Sequence, residues 1–103
     1  MDFMHQVKKN VLQENYQELQ EPSKYKVLLL NDDYTTMDFV VMVLMVVFRK
    51  SLEESQKIMF NIHKNGKGLC GIYAFEVAET KAAQVAAMAE QHKFPLKCNL
   101  EEE

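Results

Sequence analysis

The stretch TTMDFVVMVLMVVFRK, residues 35–50, decides the fold because its composition and its charges point in different directions. Its valines favour a strand, since β-branched side chains pack well on a pleated surface. Its ends favour a helix. Thr35 or Thr36 can cap the backbone N–H groups of a first turn, and Asp38 lies in that turn, where the helix dipole favours an anion. Arg49 and Lys50 lie at the far end, where a cation is favoured. A strand has no use for this order of charges, so the stretch predicts a helix over 36–49. That helix is apolar nearly all round and has to be covered on more than one side.

Upstream, KYKVLLLN (24–31) has an apolar centre bounded by Pro22-Ser23 and by Asn31-Asp32-Asp33, the pattern of a central strand. Downstream, Ser51 followed by Glu53 and Glu54 opens a second helix, with Leu52, Ser55, Ile58, Met59 and Ile62 on one face. Asn65-Gly66 stops it as a C-cap, so the two helices form a hairpin. GLCGIYAFEV (68–77) alternates small and aromatic side chains as a strand does. VAETKAAQVAAMAEQH (77–92) is an alanine-rich helix with Ala78, Ala82, Val85, Ala86 and Ala89 inward. Pro95 opens a last strand in which Leu96, Cys98 and Leu100 share a face while Lys97 and Asn99 point away. The element order is βααβαβ, an α+β domain over 24–103. Residues 1–23 are rich in Gln, Asn, Glu and Lys, with Phe3, Met4, Val7, Val11, Leu12, Tyr16 and Leu19 at loosely helical spacing. They predict a mobile N-terminal extension that becomes helical when bound.

At 103 residues the chain is one domain, and 48% hydrophobic content with 3 Gly and 2 Pro is enough to build a core without staples. The net charge of −3 gives no electrostatic footprint for nucleic acid or anionic lipid. Two cysteines, Cys70 and Cys98, fall short of a disulfide scaffold and fit a reducing cytosol. The opening MDFMHQVKKN lacks the apolar centre of a secretory leader. The longest apolar run, 39–48, has ten residues, against the roughly 20 needed to span a bilayer. The expected location is cytoplasmic.

Asn31, Asp32 and Asp33 set an amide and two carboxylates at the carboxyl end of an apolar strand, a usual rim for ligands. Charge at the mouth of a hydrophobic element is costly unless something cationic meets it. A metal fits poorly. An EF-hand loop starting at Asn31 or Asp32 would place Thr36 or Met37 where glycine is needed, and Met42 or Val43 where the closing glutamate is needed. A magnesium-binding receiver domain also carries an acidic pair after its first strand, but the remaining aspartates are Asp2 and Asp38, and neither sits on a later strand as a phosphoacceptor. Read locally, the residues also fit a plain turn shaped by Asn31 and Asp32. Cys70 and Cys98 are flanked by apolar strand residues and have no paired histidine, so they read as structural, and nothing else supplies a nucleophile with its base. His63 alone reads as a histidine of a helix's last turn. The chain is expected to be non-catalytic and to need no cofactor.

Read together, NDDYTTMDFV (31–40), HKNGKGLCGIYAFEVAETK (63–81) and FPLKCNLEEE (94–103) resemble the ClpS family, small adaptors that deliver N-degron substrates to the Clp AAA+ protease. The likeness covers about 24–102 with the same element order and spacing. The family usually carries Pro where this chain has Thr36, and often Glu where it has Asp38. The resemblance implies a three-stranded antiparallel sheet packed against three helices, a fold similar to the C-terminal domain of the ribosomal stalk protein. It also implies that the missing cation is the free α-ammonium of another protein's N-terminus. Asn31, Asp32 and His63 would hydrogen-bond that ammonium, and Thr35, Met37, Val40, Met59, Ile62 and Leu96 would line a pocket for a first side chain of Leu, Phe, Tyr or Trp. Met37 would act as gatekeeper against β-branched side chains, and Glu76 and Lys81 would dock on the N-terminal domain of the unfoldase ClpA. The rival readings are a receiver-like magnesium-binding domain and a stalk-like interaction module that ignores free N-termini.

Overall fold

The computed structural model describes residues 22–103, so the predicted extension lies, apart from Pro22 and Ser23, outside the described residues. Strand β1 is Lys24–Leu30. It runs between β2 (Lys67–Ala74) and β3 (Cys98–Glu102), antiparallel to both, in the order β2-β1-β3. The apolar run of β1 explains its central place. Val27 and Leu29 point into the core, and Leu28, on the opposite face, is buried as well. The register accounts for Leu28: Lys67 stands opposite Leu30 and Glu101 opposite Lys26, and their ion pair at 3.4 Å passes over the residue between them. The pairing of β1 with β2 shifts between Val27 and Leu28, leaving Cys70 as the extra residue of a bulge.

Helix α1 is Met37–Val46. Thr36 caps it, its hydroxyl accepting from the Phe39 N–H at 3.1 Å, and Asp38 sits in the first turn. The helix ends short of the predicted residue 49, because Arg49 takes a left-handed conformation at φ 54 and the Lys50 N–H turns back to the Leu44 carbonyl at 3.1 Å. Arg49 and Lys50 are thus not in its last turn. A cation does reach that end from elsewhere in the fold: Lys81 donates to the Val47 carbonyl at 2.7 Å. Phe39, Val43, Leu44, Val47 and Phe48 are buried, while Val46 remains 60% exposed, so the cover is incomplete.

Helix α2 is Leu52–Asn65, capped by Ser51, whose hydroxyl accepts from the Glu54 N–H at 3.1 Å. It ends at Gly66, where φ is 88 and the N–H bonds the Ile62 carbonyl. Ser55, Met59 and Ile62 face the core as expected, but Leu52, the first residue of the helix, is 53% exposed. Just beyond, Gly68 lets β2 pass close to α2: a Cβ there would stand 2.6 Å from Cγ1 of Ile62.

Helix α3 is Phe75–His92 and follows β2 without a loop. The predicted strand reached residue 77, so its last three residues belong to the helix instead. No side chain caps this end, so no cap residue marks the boundary in the sequence. Ala78, Val85 and Ala89 are buried, whereas Ala86, expected inward, is exposed. β3 starts at Cys98 rather than at Pro95, although the Leu30 N–H still bonds the Lys97 carbonyl at 3.0 Å. The predicted α+β fold, a three-stranded antiparallel sheet with three helices, is the one observed. Among the described residues no helix is long and apolar enough to cross a membrane.

Candidate functional site

The end of β1, the amino end of α1 and the last turns of α2 meet at one corner. The Asn31 N–H donates to the Gly66 carbonyl at 2.8 Å, which ties the strand's exit to the end of α2. Asp32 then folds the connecting loop around its own carboxylate. Oδ1 accepts from the Tyr34 N–H at 2.8 Å and the Thr35 N–H at 2.6 Å, and Oδ2 accepts from the Thr35 hydroxyl at 2.6 Å. Partial burial pushes the Asp32 carboxyl up, but the Thr35 hydroxyl and the two backbone donors outweigh it, leaving the pKa below its ordinary value. The carboxylate stays ionised through the neutral range. So Asp32 does shape a turn, Thr35 serves that turn, and the helix cap falls to Thr36.

Behind this loop lies a cavity of about 240 Å³. Asn31, Asp32, Asp33, Thr35 and His63 form its polar rim, and Met37, Val40, Met59 and Ile62 its apolar wall. Val40, Met59 and Ile62 are buried, but Met37 is 43% exposed at the mouth. The volume is below the roughly 300 Å³ at which most small-molecule sites begin. It suits a side chain better than a cofactor. Two carboxylates stand on the rim, and no group of three or more His, Cys, Asp or Glu side chains converges on a metal site among the described residues.

The structure thus brings together Asn31, Asp32, Thr35, Met37, Val40, Met59, Ile62 and His63. Leu96 is not among them. It is 5% exposed, belongs to the core, and faces a separate groove with Ala82 and Ala86 of α3. Asp33 lines the cavity too, as its place in the Asn-Asp-Asp rim suggested, although the residues assigned to the ammonium were Asn31, Asp32 and His63 alone. Cys70 is buried and Cys98 half-buried, both free, and burial raises their thiols to about 12 and about 11, with the nearby Cys98 adding to the shift at Cys70. Neither is a thiolate at neutral pH.

Glu76 and Lys81 lie at the start of α3 and differ from one another. Glu76 is exposed in the first turn. The Lys81 ammonium is occupied by the Val47 carbonyl and stands 5.8 Å from the centre of the Tyr73 ring. This places Lys81 at the carboxyl end of α1, about 15 Å of helix from the cavity.

A family model described as ATP-dependent Clp protease adaptor protein ClpS matches residues 20–99. An ATP-dependent Clp protease adapter protein ClpS of Wolinella succinogenes is 48% identical over 101 residues, covering 98% of this chain and 93% of that one. The protein so described from Oleidesulfovibrio alaskensis is 56% identical over 86 residues, 84% of this chain and 83% of its own. Among solved structures, Agrobacterium tumefaciens ClpS2 bound to L-phenylalaninamide superposes with a TM-score of 0.78 at 38% identity, covering 81% of this chain and all of that one.

Proposed function

The chain belongs to the ClpS family of Clp protease adaptors, and we propose from this premise that its cavity reads the N-terminal residue of N-degron substrates. The observation that carries the reading is one cavity with an anionic, amide-bearing rim over an apolar floor. Asn31, Asp32 and His63 hold the free α-ammonium, and the Asp33 carboxylate adds to the field around it. Met37, Val40, Met59 and Ile62 surround the first side chain, with Leu, Phe, Tyr and Trp as its ligands. Methionines suit a recess that has to accept both flat and branched groups, because the thioether chain is unbranched and polarisable. L-phenylalaninamide, the ligand of the Agrobacterium protein, has a free α-amine and a benzyl group but no carboxylate, which is the chemistry of a peptide's first residue.

The energetics fit a transient adaptor. A hydrogen bond to a charged group contributes roughly 1.5–3 kcal/mol, and burying a Leu or Phe side chain a similar amount. After the cost of association, two or three such bonds and one side chain give a dissociation constant of roughly micromolar order. Delivery then requires a second face, and Glu76 with its neighbours at the start of α3 is where we place the contact with the N-terminal domain of ClpA.

Fluorescence anisotropy with peptides differing only in residue one, each free and acetylated, tests the reading. Free Leu, Phe, Tyr and Trp peptides are expected to bind, and their acetylated forms to bind at least about 100-fold more weakly. Equal affinity for free and acetylated peptides would sink it.

A further inference from the structure

The Asn31–Asp33 corner walls a second cavity. Leu30, Tyr34, Pro95 and Lys97 complete it, and it encloses about 360 Å³, more than the first. Tyr34 is 77% exposed, so the fold gains almost nothing from its ring. Yet the ring is not on a loose segment, because the Tyr34 N–H is fixed to Asp32 Oδ1 at 2.8 Å. The Tyr34 ring, carried on this held backbone, lines the same groove as Leu30 and Pro95 and offers an aromatic face for stacking.

The two cavities share Asn31, Asp32 and Asp33, so a ligand gripped at that corner reaches both. In an extended chain, successive side chains point to opposite sides. When the first side chain enters the cavity under Met37, the second falls on the other flank of the corner. The shared wall carries two carboxylates, with Lys97 as the single cation in the groove's lining among the described residues, which disfavours an anionic side chain there. We infer that this groove is a second subsite of the adaptor, taking an uncharged aromatic or long aliphatic side chain at the residue after the N-terminal one, stacked on Tyr34. The inference rests on the N-terminal reading of the first cavity and adds a selectivity that the first cavity cannot supply.

The test uses the full chain and four labelled peptides identical beyond residue two: Leu-Phe and Leu-Ala, each free and acetylated. Free Leu-Phe is expected to bind about 5- to 10-fold more tightly than free Leu-Ala. Tyr34→Ala is expected to erase that difference and leave Leu-Ala affinity unchanged. The ring is exposed, so the variant should fold, and its thermal midpoint checks this. Equal affinities for the two free peptides, a preference that survives Tyr34→Ala, or an equal loss for both peptides would each overturn the subsite. If acetylated peptides bind as well as free ones, the reading of the first cavity falls and the subsite with it. If only free peptides bind and residue two makes no difference, the subsite alone falls.

Discussion

The two ends of helix α1 are both fastened by side-chain hydrogen bonds, yet they are put to different use. At the carboxyl end Val47 and Phe48 are buried, the Val47 carbonyl takes the Lys81 ammonium, and the Lys50 N–H returns to Leu44. These groups are spent on the protein's own fold, although Val46 beside them stays 60% exposed. At the amino end Thr36 closes the cap and Asp32 closes the loop, but Met37 stays partly exposed and the wall formed by Val40, Met59 and Ile62 is left facing a cavity. The difference teaches where a small domain can leave surface for a ligand: one end of an element is fastened so that the other end stays open without collapsing.

Asp32→Ala tests the contrast most severely. It removes one of the two rim charges and all three bonds that the carboxylate accepts, and a Leu-initiated peptide is expected to lose affinity by about 100-fold or more in anisotropy titrations. If instead the thermal midpoint drops and affinity holds, the amino end is merely structural, like the carboxyl end. The pH dependence has a definite sign. The folded-state pKa of Asp32 lies below its unfolded value, so its contribution to stability is present above the unfolded value of about 3.9 and is lost as pH falls through the lower folded one. Peptide binding is then expected to weaken on the alkaline side, as the ligand's α-amino group titrates near about 8.

Lys81→Met keeps the aliphatic stem and removes the donor to Val47. A bond of this kind contributes about 1.5–3 kcal/mol, and its loss is expected as a lower unfolding free energy in denaturant and faster hydrogen exchange in 47–50, with peptide affinity within about 2-fold of the parent. An affinity loss matching the stability loss would show that the two ends are coupled and would break the comparison. The smallest effect is expected at Arg49, which holds a left-handed conformation at φ 54. Arg49→Gly relieves the Cβ clash at some cost in chain entropy, for a net gain of up to about 1 kcal/mol. That is a rise of a few degrees in thermal midpoint. A fall would mean that the arginine side chain contributes to the carboxyl end in its own right.

Much of this molecule is legible along the chain because the signals are local. Caps act over three or four residues, so Thr36, Ser51 and Gly66 mark helix ends whatever surrounds them. The Asn-Asp-Asp run after an apolar strand pointed to the corner where the structure has a cavity, and the resemblance of the flanking motifs named Met59, Ile62 and His63 of α2, which line that cavity too. The same locality explains the errors. The passage from β2 to α3 has no capping side chain, so the boundary at Phe75 left no mark in the sequence. Alternation put Leu96 on an inward face with Cys98 and Leu100, and the resemblance assigned it to the pocket; in the structure it lines the groove beside Ala82 and Ala86, a choice between cavities that no local pattern makes.

The sequence by itself determined the order of the elements, the central place of β1 and the charged corner at its end, since hydrophobic period and capping are properties of neighbours in the chain. Only the tertiary structure decided that Lys81 serves α1, that Leu96 lines the groove beside Ala82 and Ala86, and that a second groove opens beside Tyr34. Those outcomes depend on how the helices settle on the sheet and on which donor reaches an open carbonyl first. Such contacts join residues as far apart in the chain as Val47 and Lys81, and no short-range pattern encodes them.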